Sequence, residues 1–259
     1  MRLITLFLIG ALSLAFVFGC GNDSDKSTSP GETTGTLKLL LTDSPGIFQE
    51  VNITFSEISA NYEEEWITVS TTPQTFDLLK LSSGITALLG EKKLEAGHYS
   101  QIRLIITGAE VIISDKSYPL AVPSGASSGL KLGPAFDIEP GIDTELVVDF
   151  DVARSIHEKG KKQEYTLNPR LRLIPKAQSG AIKGRVTNYQ AAPVAYAIAG
   201  SDTVNSAFVN ETNGDFLLSF MPAGSFTVAV ADTLGKGFTT PDVAVTIGKT
   251  TELGDIALK

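Results

Sequence analysis

Apolar and polar positions alternate with a period of two through most of the chain, the pattern of strands that bury one face. Leu37, Leu39 and Leu41 alternate with Lys38, Leu40 and Thr42, and Thr42-Asp43-Ser44-Pro45-Gly46 closes the run with turn residues. Val51, Ile53 and Phe55 alternate with Asn52, Thr54 and Ser56. Trp66 to Val69 and Phe76 to Leu79 are short β-prone pieces. Tyr99 to Thr107 predicts a long strand with Ile102, Leu104 and Ile106 on one face. Val111 to Ile113 and Tyr118 to Val122 predict a hairpin around Asp115-Lys116. Leu146, Val148 and Phe150 share a face, and Leu171 and Leu173 point inward opposite Arg170 and Arg172. Two stretches break the β pattern. Ser82 to Leu89 predicts a turn of helix capped by Ser82 or Ser83, and Asp151 to Lys159 predicts a short helix ended by Gly160.

Beyond Gln178-Ser179-Gly180 the runs shorten. Strands are expected at Ile182 to Thr187, Val194 to Ala199, Ala207 to Glu211, Phe216 to Phe220, Phe226 to Ala231, Val243 to Ile247 and Ile256 to Leu258. Short strands with turn residues between them predict a β-sandwich, and Asn213-Gly214 reads as a hairpin turn. The fold class is therefore all-β: two β-sandwich domains in tandem, over 35–177 and 178–259, the first with a short helix near its C-terminal end.

The N-terminal pattern differs. Met1 and Arg2 precede an almost wholly apolar run from Leu3 to Phe18, followed by Gly19 and Cys20. A charged start, an apolar stretch and a small residue before the cut describe a secretory signal peptide over 1–19. Val17, Gly19 and Cys20 resemble the bacterial lipobox, with Phe18 bulkier than usual. That resemblance implies cleavage before Cys20, which becomes N-terminal and lipid-modified, with palmitate among the acyl groups. The alternative is an uncleaved anchor, but the run is near the lower limit for crossing a bilayer. Acylation accounts for the chain's single cysteine, and more than one acyl chain gives stable anchoring. Residues 20–34 are small and polar and read as a flexible tether.

Composition narrows the function classes. The 259 residues are 42% hydrophobic with a net charge of −8. An acidic chain argues against nucleic acid as a partner, because that partner rewards clustered Lys and Arg. Nothing after Cys20 is apolar for long enough to span a bilayer. The expected location is a bacterial cell envelope, lipid-anchored and outer-membrane, with the periplasmic and surface faces both open.

Two further resemblances rest on ordered motifs. Gly180-x-Ile182-x-Gly184-x-Val186, Pro193-Val194, Thr212-x-Gly214-x-Phe216, Pro222-x-Gly224-x-Phe226-x-Val228-x-Val230 and Gly237-Phe238 resemble the carboxypeptidase regulatory-like domain. That family is a transthyretin-like seven-stranded sandwich, an accessory module without a peptidase site. Gly35-x-Leu37-x-Leu39-x-Leu41-Thr42-Asp43-x-Pro45, Leu94-x-Ala96-Gly97-x-Tyr99-x-Gln101-Ile102-Arg103-Leu104 and Asp149-Phe150-Asp151-x-x-Arg154-Ser155-Ile156 resemble the bacterial domain of unknown function 4382. That resemblance implies exported lipoproteins and names no substrate.

Candidate chemistry is sparse. Asp149 and Asp151, two apart on a strand, could join Asp43 as oxygen ligands for calcium; alternatively Asp151 caps the helix and Asp149 pairs with Arg170 or Arg172. Tyr62 and Trp66, around Glu63-Glu64-Glu65, could form a sugar-binding patch; alternatively the glutamates are a solvated hairpin tip. His98 and His157, the two histidines, lie in no metal-ligand spacing. The Gly-containing loop from Pro123 to Gly129 lacks the Lys of a phosphate cradle. No catalytic residue and no cofactor beyond possible calcium is expected. The expected role is a non-catalytic binding or adhesion protein that recognises a glycan, peptide or protein partner through sandwich loops. A structural spacer in an envelope assembly is the alternative, and a hydrolase the third.

Overall fold

The computed structural model describes residues 32–259 apart from 45, 47, 123–128, 161, 162 and 190. In chain order the first strands are β1 (Thr34–Ser44), β2 (Glu50–Tyr62), β3 (Glu65–Ser70), β4 (Gln74–Asp77), β5 (Ala87–Glu95), β6 (Gly97–Ile113) and β7 (Lys116–Ala121). They are followed by β8 (Leu130–Leu132), β9 (Phe136–Ile138), β10 (Asp143–Asp151), β11 (Ile156–Glu158), β12 (Tyr165–Leu167) and β13 (Leu171–Pro175). One four-stranded sheet has the order β13-β10-β1-β5. The other has nine strands, in the order β11-β12-β7-β6-β2-β3, with β4 on β2 and with β8 and β9 on β6.

The alternation read from the sequence sets the inner faces. Leu37, Leu39 and Leu41 are fully buried. β10 runs parallel to β1 in a register that sets Leu39 beside Leu146 and Leu41 beside Val148. These side chains meet Ile53, Phe55, Ile102 and Leu104 of the second sheet in one core. Each fully buried aliphatic side chain contributes about 1.5–3 kcal/mol.

The remaining strands are β14 (Ser179–Val186), β15 (Val194–Ala199), β16 (Asp202–Phe208), β17 (Asp215–Pro222), β18 (Gly224–Ala231), β19 (Gly237–Val245) and β20 (Thr250–Ile256). They form a three-stranded sheet, β17-β14-β20, and a four-stranded sheet, β16-β15-β18-β19. Ile182, Phe216, Phe226, Val228 and Val230 fill a separate core between them. The all-β sandwich architecture expected from the alternation is thus what the chain adopts.

Local departures have local causes. The helix expected over Asp151 to Lys159 is a single turn, α1 (Val152–Ser155), followed directly by β11. Asp151 caps it through Arg154 N–H, as expected. Ser155 Oγ then donates to Asp151 O at 2.5 Å and accepts from Arg170 N–H. Ile156 enters the core opposite Leu167, so tertiary pairing overrides the helical reading. The helical turn expected at Ser82 to Leu89 lies earlier, at Leu78–Leu81, where Asp77 caps it, and Ala87–Glu95 is a strand. The β6–β7 hairpin turns at Ser114-Asp115, both at positive φ, one residue before the expected pair. Asn213-Gly214 does not close a hairpin within one sheet. It carries the chain from β16 to β17, which belong to different sheets.

Candidate functional site

The three expected metal ligands sit at the ends of β1 and β10 but do not converge. Asp43 continues the inward row of Leu39 and Leu41, and its register partner is Phe150. Asp149 and Asp151 fall on the opposite face of β10, with Asp149 beside Thr42 and Asp151 beside Ser44. Each carboxylate is also engaged. Asp43 Oδ1 accepts from Val152 N–H at 3.2 Å. Asp149 Oδ2 accepts from Arg172 Nε at 3.1 Å and from Arg172 Nη2, and Ser44 Oγ lies 3.2 Å from Oδ1. Asp151 caps α1 and accepts from Arg154 Nε at 2.6 Å. Among the described residues no group of three or more His, Cys, Asp or Glu side chains is placed to hold a metal. The second of the two sequence readings, cap and cross-strand ion pair, describes Asp149 and Asp151.

This corner is nonetheless electrostatically loaded. Burial raises the Asp43 carboxyl well above its ordinary value, and the charges of Asp149, Asp151 and Asp77 add to that. Its Oδ2 is buried without a hydrogen-bond partner among the described residues. Burial likewise raises Asp149, and Arg172 and Ser44 offset only part of the effect.

Tyr62 and Trp66 do not form one patch. The β2–β3 hairpin turns at Glu63-Glu64, so Tyr62 pairs with Glu65 and Asn61 with Trp66. Tyr62 packs inward and stacks on Tyr99 at 4.9 Å, which stacks on Phe136 at 5.4 Å. Trp66 lies on the outer face, where Arg103 covers its ring at 4.6 Å. The glutamates at the tip are exposed, matching the solvated reading. His98 is exposed and meets Asp137 at 2.7 Å, and His157 is exposed on β11. Cys20 and the loop residues 123–128 lie outside the described residues.

The feature that sequence reasoning missed is a groove of about 740 Å³ between the two sandwiches. One wall is the loop bearing Ser82, Ser83 and Ile85. The other is the outer face of β17-β14-β20, bearing Leu217, Lys183, Arg185 and Glu252. Gly84, at φ +86°, lets the loop close onto β17. A Cβ there would stand 3.1 Å from Leu217 Cδ2 and from Ser219 Oγ. Lys183 pairs with Glu252 at 2.8 Å and Arg185 with Asp215 at 2.9 Å, so charged rows cross the floor. Ile85 is 57% exposed at the rim. Beside the groove, Ser44 Oγ lies 3.3 Å from Asn205 Oδ1, and Asn205 Nδ2 donates to Ser219 O at 2.6 Å, tying β1 to the second sandwich. Alternation in β14 does place Lys183 and Arg185 outward, but no pattern in the chain says which loop will face them.

A family model described as Domain of unknown function (DUF4382) matches residues 34–169, more than half of the chain. The chain belongs to that family. The DUF4382 match runs from β1 through α1 to β12, so it takes in the acidic corner and the Ile85 loop. It stops short of β13 and the second sandwich. No curated protein matches the chain. Among solved structures, it is similar to the Bacillus anthracis TIE protein, at 14% identity over 88% of this chain and 34% of that one, with a TM-score of 0.23. It is also similar to a fimbrial protein from Bacteroides ovatus, at 10% identity over 87% and 50%, with a TM-score of 0.24. A third is the fimbrial anchor protein Mfa2 from Porphyromonas gingivalis, at 9% identity over 80% and 82%, with a TM-score of 0.21. The chain spans about a third and a half of the length of the first two.

Proposed function

We propose that this chain is a non-catalytic binding or adhesion protein of a bacterial cell envelope, anchored by lipid at Cys20, that takes a glycan, peptide or protein partner in the groove between its sandwiches. The groove carries the reading. It sets apolar surface from Ile85 and Leu217 beside two ion-paired rows, the mixture by which binding sites gain affinity and orientation. Its walls are strands and a loop held at Thr42, whose Oγ1 lies 2.7 Å from Leu81 O and 2.9 Å from Ile85 O, so little order has to be gained on binding. The N-terminal Val17-Phe18-Gly19-Cys20 supports export and anchoring. The seven strands after Gln178 support a carboxypeptidase regulatory-like module over 178–259. A spacer role is the second reading, favoured by the contact of Ser44 with Asn205 and the hydrogen bond from Asn205 Nδ2 to Ser219 O, which hold β1 against the second sandwich.

The test is a binding screen of the full chain against a glycan panel and envelope extracts, with calcium and with chelator. A saturable partner should raise the melting temperature and be lost in Ile85→Arg, which leaves the melting temperature of the free protein unchanged. Binding should persist in chelator, because Asp43 lies on the opposite face of the sheet from Asp149 and Asp151, and those two are paired with Arg172 and Arg154. A partner indifferent to Ile85→Arg would remove the groove from the account.

A further inference from the structure

A second cleft, of about 550 Å³, opens where β10, α1 and β13 meet and shares no lining residue with the groove. Three of the chain's six arginines, Arg154, Arg170 and Arg172, line it together with His157. Asp151 is the one carboxylate in the lining among the described residues. In a chain of net charge −8, that concentration of guanidinium is out of keeping with the rest of the surface.

The hydrogen bonds show how the cluster is used. Asp149 holds Arg172, and Asp151 holds Arg154 through Nε alone. A guanidinium carries five N–H donors, so both Nη groups of Arg154 stay available. Arg170 is different. Its backbone is fixed, with N–H donating to Ser155 Oγ at 2.8 Å and O accepting from Asp151 N–H at 2.9 Å. Its side chain is exposed and has no ion-pair or hydrogen-bond partner among the described residues. A purely structural ion-pair ladder needs one arginine per aspartate. The third arginine exceeds that need, while the two aspartates orient the other two.

We propose that this cleft binds an oxyanion group, a carboxylate or a phosphate ester, carried on a polysaccharide. The planar guanidinium fork matches such oxygens two at a time. The cleft is far larger than a single oxyanion, so the group arrives attached to a bulkier molecule. Ala153 and Leu171 are the apolar side chains in the lining, which offers no deep apolar pocket for a peptide anchor residue. The site is independent of the groove between the sandwiches.

Calorimetric titration of the full chain with oligogalacturonate, phosphomannan and neutral dextran tests it. At least one charged polymer should bind and dextran should not. The responding polymer tells carboxylate from phosphate ester. Arg170→Ala should weaken binding by about tenfold, the loss of one charge-assisted contact, with an unchanged melting temperature. Arg154→Gln should act in the same direction. Lys183→Ala, in the other groove, should leave the affinity as it is, so failure of one site is separable from failure of the other. Absence of binding by both charged polymers would overturn the proposal. So would equal loss in Lys183→Ala, affinity unmoved by Arg170→Ala and Arg154→Gln, or preference for polyglutamate over both polysaccharides.

Discussion

Replacing Arg172 by alanine is expected to destabilise the fold by about 3 kcal/mol at pH 7, the cost of leaving a buried charge without its partner. Asp149 is 4% exposed, on the face of β10 that the second sandwich helps to cover. Arg172 supplies two donors to one of its oxygens, and Ser44 lies by the other. The side chain of Arg172 is 29% exposed, so water relieves part of the loss and the lower end of the range for broken buried pairs applies. The loss depends on pH. Burial already raises Asp149, and removing the guanidinium raises it further. An acid whose folded value lies above its unfolded value favours the fold fully below the unfolded value. That favour is lost as pH rises through the folded value. The deficit of Arg172→Ala should therefore be small in acid and full near neutrality. Urea denaturation midpoints of both proteins from pH 4 to pH 8 measure it. A deficit that is flat across that range would mean that the pair is not what the guanidinium supplies.

Asp43→Asn is expected to act in the opposite direction and stabilise the protein at pH 7 and above. Asp43 Oδ2 is buried without a partner among the described residues, and an unsatisfied buried polar atom costs about 1–3 kcal/mol. Asparagine keeps an acceptor for Val152 N–H. It also removes a charge whose formation burial and the charges of Asp149, Asp151 and Asp77 oppose in the folded protein. The sign follows from burial, the main cause of the raised value. Stability from protonated Asp43 is complete below its ordinary value and drains away as pH rises through the raised one. The variant lacks that slope, so the two stability curves should meet in acid and separate towards alkali. Thermal melts at several pH values check this, and a less stable variant at pH 8 would show that the Asp43 charge is compensated.

Much of this was legible in the chain. The period-two rows of Leu37–Leu41 and Leu146–Phe150 contain both the sheet and its inward face. They also set the face on which each candidate carboxylate lies. Asp43 extends the inward row of Leu41, whereas Asp149 and Asp151 interleave with the inward row of Val148 and Phe150. Three carboxylates close in space therefore lie on two sides of one sheet. The two-residue turn at Glu63-Glu64 similarly fixes Tyr62 and Trp66 on opposite faces of their hairpin. What was not legible depends on contacts distant in sequence. One turn of helix stops at Ser155 because Ile156 finds Leu167 and Ser155 finds Arg170. The groove needs Ile85 to face Leu217 and Lys183, and no local pattern encodes that meeting. The gathering of Arg154, Arg170 and Arg172 follows from the β10–β13 register, which sequence alone leaves open.

The central claim is that the groove between the sandwiches is a binding surface in the envelope. Hydroxyl-radical footprinting of the full chain, in intact cells and after purification, tests it without knowing the partner. Ile85 at the rim and Phe208 and Leu217 in the lining report on the groove, and the exposed Leu234 and Ile247 serve as references. Labelling of Ile85, Phe208 and Leu217 should fall in cells relative to the purified protein, with Leu234 and Ile247 unchanged. Equal labelling of the groove in both settings would contradict the account.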